Sequence, residues 1–271
     1  MASREIPLLA LAAVDFAASV LLLWARPRAA RFVLLAGAVM LAAALAVRGI
    51  TIRYAPFTQR PETMATLALA IAAVALSTWP RPPARPGSRL FGTLLLLPAL
   101  ALLVASIASW PAPQPPFALL VTVWYVIHVP LSFLAYGLWT AAFAASIARL
   151  AVAARSAGAG GPGAAELQAP AGVEAWDETI RSTILWGFLL FSLSMVAGGI
   201  WGYLAWGYVF LWDPKLEWSV TLWIVYAALA HLGVVRARPR LRASLAIPAW
   251  LVVWIAYLGV NLFRTSIHAF R

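Results

Sequence analysis

Apolar residues fall in eight long runs, at roughly 7–24, 32–47, 64–79, 90–109, 118–149, 183–201, 219–235 and 243–262. A helix needs about 20 mostly apolar residues to cross the hydrocarbon core of a bilayer, and most of the runs approach that length. The breaks between them are well marked. RPRAAR, RPPARPGSR and RARPRLR are arginine-rich turns, whereas WPAPQPPF is proline-rich and uncharged. Residues 156–175 form a Gly/Ala/Pro-rich linker within a flexible loop expected over 150–180. The pattern predicts an all-α polytopic membrane protein of about eight transmembrane helices, a single membrane domain over 1–271 with no internal repeat. The first run follows a short segment, Met1 to Glu5, and leads into further spans, so it reads as an anchor and not as a removable leader.

Composition supports the membrane reading. The chain is 63% hydrophobic and 11% charged, against about 25% charged in soluble domains. The net charge of +11 does not point to nucleic acid, because the arginines sit in short loops between apolar runs, where they set membrane orientation. Alternate loops divide the basic residues unevenly. One set holds Arg26, Arg28, Arg31, Arg81, Arg85, Arg89, Arg149, Arg155, Arg181, Arg236, Arg238, Arg240 and Arg242. The other set, with the termini, holds Arg4, Arg48, Arg53, Arg60, Lys215, Arg264 and Arg271. The richer set is expected on the cytoplasmic side. Both termini and the segment between the sixth and seventh runs then lie outside, and Arg48, Arg53 and Arg60 run against the rule. The chain has no cysteine, so it has no disulfide, thiolate metal site or thiol chemistry of its own.

Only three histidines are present: His128, His231 and His268. The fifth run would make about 48 Å of helix. If Arg149 marks its cytoplasmic edge, a 20-residue span ends near Pro130 and leaves His128 at the outer boundary. His268 follows the last run and falls at the same depth, while His231 lies in the cytoplasmic half of the seventh. Haem iron takes imidazole as axial ligand, and two axial nitrogens stand only about 4 Å apart, at bond lengths near those of other His–metal pairs. His128 and His268 can meet that demand if the fifth and eighth helices are neighbours. His231 is separated from them by about 20 Å of membrane. Either one haem site accompanies an unrelated histidine, or there are two sites, the inner one needing a ligand from another chain.

Between Trp201 and Trp218 the chain reads WGYLAWGYVFLWDPKLEW. Trp201, Trp206, Trp212 and Trp218 lie five or six residues apart, in a chain with 14 tryptophans. An interfacial belt accounts for some of these, but the density suits a shelf for a flat macrocycle whose indole N–H groups reach polar partners. Trp206 and Phe210, four apart, would share a face of a short surface helix. Asp213 would cap the next helix, with Pro214 at its first position. Lys215, Arg264, Arg53 and Arg60 are the outer cations available to pair with haem propionates.

These residues carry a resemblance. The stretch from WDETIRSTILWG to LWIVYAALAH looks like the WWD domain of the haem-handling proteins of cytochrome c maturation, and is most similar to the CcsA (ResC) type. The similarity continues through WYVIHVPLSFLAYG around His128 and LGVNLFRTSIHAF around His268, more weakly through RYAPFTQRPET with Glu62. It makes 118–271 the haem-handling core. The resemblance implies that His128 and His268 ligate haem b at the outer face of a bacterial cytoplasmic membrane. His231 would ligate haem within the membrane, opposite a ligand from a CcsB (ResB) partner. Trp201, Trp206, Trp212, Asp213 and Trp218 would line the haem shelf. The chain would then be a subunit of a cytochrome c synthase, or haem lyase, with no catalytic side chain of its own. Its partners would be apocytochrome c and a thioredoxin-like reductant, besides membrane lipid. Two positions depart from the family pattern: Phe210 replaces a tryptophan, and DPKLE moves the acid to Glu217, with Leu216 in its usual place. A HemX-like regulator of haem synthesis and a CcmC-like haem exporter subunit are the other readings. Eight spans with a late WWD segment favour the CcsA type.

Overall fold

The computed structural model describes residues 4–79, 85–159, 172–209, 213–234 and 238–259. All regular structure among them is helical. In chain order the helices are α1 (Ile6–Ala25), α2 (Pro27–Ile52), α3 (Arg60–Ser77), α4 (Ser88–Ala108), α5 (Val123–Ala159), α6 (Val173–Trp206), α7 (Pro214–Val234) and α8 (Pro239–Trp254). A single 3₁₀ turn, Ala118–Leu120, precedes α5, and a π turn, Ile255–Gly259, extends α8. Each apolar run therefore becomes a helix. Prolines at the first positions start several of them, where the missing N–H is no loss and the fixed φ suits a helix.

Six helices (α1, α2, α4, α5, α6 and α8 with its π turn) are long and apolar enough to cross a membrane. α3 and α7 have comparable lengths but polar first turns, with Arg60 and Glu62 in one and Lys215 and Glu217 in the other. α3 tolerates this because it is buried among α2, α4 and α5 rather than turned to lipid. The chain is thus a multi-pass membrane protein. α1 to α4 pack mainly with one another, as do α5 to α8, and α5 joins the halves through α3 and α4. The most extensive helix–helix contact among the described residues is between α5 and α6.

The two ends of the bundle differ. At the arginine-rich end, Arg149 pairs with Asp177 at 2.5 Å, Arg242 donates to the Asp177 carbonyl at 3.1 Å, and Arg85 lies over the Trp176 ring at 3.9 Å. At the tryptophan-rich end, Arg48 is fully buried and its Nε donates to Glu62 Oε1 at 2.7 Å. Its Nη2 reaches the Ala112 carbonyl at 3.2 Å, and the guanidinium sits 5.3 Å from the Trp110 ring centre. Glu62 Oε2 in turn accepts the Thr58 and Gln59 backbone N–H groups, closing a capping box with Gln59 at the start of α3. One charge-rule violation is thereby explained: Arg48 locks the loop that starts α3. Arg53 ends α2 in the left-handed conformation (φ 55°).

The boundaries of α5 and α6 differ from the sequence reading. α5 runs to Ala159 and α6 begins at Val173, so helix occupies both ends of the expected 150–180 loop. α6 also continues without a break to Trp206, so Trp206 ends a long helix instead of lying on a short surface one. Gly207 stops it in the left-handed conformation (φ 78°), which costs glycine nothing. Phe210 and Trp212 lie outside the described residues, as does His268.

Candidate functional site

His128 stands one turn and a half into α5, facing α6. Its Nδ1 is 2.8 Å from the Ser194 carbonyl oxygen and 2.9 Å from Ser194 Oγ. The Ser194 hydroxyl donates to the His128 carbonyl at 2.9 Å and touches Ser132 Oγ at 2.6 Å. A backbone carbonyl can only accept, so the short contact places the imidazole proton on Nδ1 and leaves Nε2 with its lone pair. Metal-binding histidines are commonly oriented in this way, one ring nitrogen fixed by a carbonyl and the other free to ligate. The ring fits because Gly198 lies beside it: a Cβ there would fall 2.7 Å from Nδ1.

Aromatic rings surround the imidazole. Trp201 stacks on it with centroids 6.1 Å apart and planes 26° from parallel. Tyr125 and Trp206 each lie 5.0 Å from Trp201. The Trp201 indole N–H donates to the Leu119 carbonyl at 2.8 Å, tying α6 to the turn before α5. The Tyr54 hydroxyl holds the same turn, donating to Leu120 and accepting the Thr122 N–H at 3.1 Å. Burial raises the Tyr54 phenol above the ordinary tyrosine range, opposed by its bond to Thr122, so it stays a donor.

These groups wall a cavity of about 460 Å³, inside the range of roughly 300–1,000 Å³ usual for small-molecule sites. Gly198, Gly199 and Gly202 of α6 line one side, and Tyr136 and Phe191 line it about 12 Å below His128. Arg60 and Lys215 bring two cations, and no acid lies among the described lining residues. The described lining is thus largely apolar and carries positive charge. Under it, Trp139 lies 5.2 Å from Phe191 and stacks on Tyr226 at 3.6 Å, with planes 11° apart.

The residues named from sequence divide into groups. His128, Trp201 and Trp206 come together on the cavity wall, joined by Lys215 and Arg60. Asp213 is buried and caps α7, accepting the Lys215 N–H at 3.0 Å, and Trp218 packs against the core; neither lines the cavity. Arg53 is absent from the wall too. His231 is exposed near the far end of α7, about 24 Å along the helix from Lys215. It shares a stripe with exposed Thr221, Ile224 and Ala228. Sequence reasoning missed Ser194 and Gly198, which set the imidazole, and Tyr136, Phe191 and Tyr257, which line the depth of the cavity.

Comparison with known proteins gives a consistent picture. The family model for cytochrome C assembly protein matches residues 28–268. The cytochrome c biogenesis protein CcsA of Nostoc punctiforme is 42% identical over 85 residues, covering 31% of this chain and 24% of that protein. CcsA of Guillardia theta is 37% identical over 102 residues, 36% of this chain and 33% of that one. The matched stretches thus span only a quarter to a third of these relatives. Among solved structures, the cytochrome c haem lyase CcmF superposes with a TM-score of 0.65 at 19% identity, covering 96% of this chain and 48% of the other. That likeness is one of fold.

Proposed function

The chain belongs to the cytochrome C assembly protein family, and from that premise we propose that its cavity holds haem b as cargo and presents it for attachment to apocytochrome c. The observation that carries this reading is the setting of His128. Its Nδ1–H is committed to the Ser194 carbonyl, its Nε2 is left as a ligand, and a largely apolar cavity with no acid among its described lining residues lies alongside. His268 would supply the second axial imidazole. The rings of Trp201 and Trp206 would cover the macrocycle and exclude water, strengthening its polar contacts.

The chain's part in the reaction is positioning. It has no cysteine, and no activated nucleophile stands among the described lining residues, so the thiols of the apocytochrome would arrive reduced by a thioredoxin-like partner. Each thiol then adds across a haem vinyl group, forming one carbon–sulfur bond while its proton goes to the neighbouring carbon. His231, exposed on a stripe of α7 with Ala228 one turn before it, suits an inner ligand completed by a CcsB-like membrane subunit. The cavity would open on the outer side of a bacterial cytoplasmic membrane.

The test is a haem spectrum of the purified complex. His128→Ala and His268→Ala should each abolish the signal of the cavity site, leaving any His231-dependent signal in place. His231→Ala should do the reverse. Unchanged spectra in all three variants would refute ligation.

A further inference from the structure

Arg60 stands out among the charged groups of the tryptophan-rich end. It opens α3 and its side chain lines the cavity. Its Nε is buried without a hydrogen-bond partner among the described residues. Glu62, two residues on, does not serve it, because that carboxylate is taken by Arg48, Thr58 and Gln59. Beside Arg60, Thr63 Oγ1 donates to the Arg60 carbonyl at 2.8 Å and meets the Tyr257 hydroxyl at 3.1 Å. A buried guanidinium edge with an open donor is costly unless an acceptor arrives. The planar fork of arginine matches a carboxylate with two parallel N–H bonds.

We propose that Arg60 anchors one carboxylate of the macrocycle in the cavity, with the Tyr257 hydroxyl beside it, and so fixes the rotation of the ring about its bond to His128. The inference rests on the haem reading given above and names the part of the cargo that Arg60 reads. A flat dicarboxylate carries its two acids along one edge, so gripping that edge at Arg60 decides which edge faces the cavity mouth. Arg53, off the cavity wall at the end of α2, has no share in this.

The experiment compares iron protoporphyrin IX with its dimethyl ester, which keeps the ring and the iron but lacks the two negative charges. Both are titrated into the purified full-length chain in an uncharged detergent. The wild-type protein should bind the diacid at least tenfold more tightly than the diester. Arg60→Met should remove most of that difference by weakening the diacid alone, Arg60→Lys should restore part of it, and Arg53→Met should leave it unchanged. Undiminished diester binding by Arg60→Met shows that the site is still folded. A diacid preference equally large in Arg60→Met overturns the anchor and leaves the haem reading standing. If phosphatidylglycerol abolishes the wild-type preference by competition, the guanidinium belongs to a lipid phosphate and the proposal fails. Absence of binding of either compound to the wild type overturns the haem reading as well.

Discussion

A methyl group added at Gly198 would lie 2.7 Å from His128 Nδ1, closer than side-chain atoms pack. Gly198→Val should therefore push the imidazole off the Ser194 carbonyl and lose the cavity haem signal as completely as His128→Ala, while the helical circular dichroism stays the same. Ser194→Ala should be milder, since the carbonyl that holds Nδ1 belongs to the backbone and remains. Retained haem in Gly198→Val would show that the tautomer-fixing contact is dispensable. His128 could be singled out in the sequence because histidine is rare here and sits at a readable depth, and Trp201 because it opens the tryptophan-dense segment. Ser194 and Gly198 could not, because their role depends on the register between α5 and α6, which no local pattern encodes. His268, Trp212 and Arg264 lie beyond the described residues.

Helices were the most legible level. Eight apolar runs became eight helices because an apolar stretch in lipid must satisfy its backbone internally. Their ends were less legible: α5 and α6 project past their apolar runs, where polar residues continue the helix at no cost in water. The cap at Asp213 was readable, since Asp-Pro both accepts a backbone N–H and starts a helix. The cap of α3 was not, because Glu62 reaches back to Gln59 while also holding Arg48, a residue on another helix. Removing one member of a buried ion pair leaves the other charge stranded, at about 3–5 kcal/mol. Glu62→Ala should lower the thermal midpoint of the detergent-solubilised protein markedly, and Glu62→Ala/Arg48→Met should recover much of the loss. A single substitution without effect on unfolding would mean that the pair is not what holds the loop.

For the molecule as a whole, α5 is the shared wall of two helical groups, and the cavity sits where α5, α6 and α7 meet α3 and the end of α8. The class of fold followed from apolar pattern and composition; the cavity did not, because it needs five separated segments to converge. Its floor bears on a different task. If its mouth lies at the membrane surface, a hollow reaching about 12 Å below His128 shortens the insulating layer, and the Phe191, Trp139 and Tyr226 rings lie stacked beneath it. In an energised membrane such a stack would keep water from threading the protein and short-circuiting a proton gradient. Trp139→Ala/Tyr226→Ala should make sealed proteoliposomes lose an imposed pH difference faster than wild type, by the quench recovery of an entrapped dye. Equal decay rates would mean that the insulation lies elsewhere.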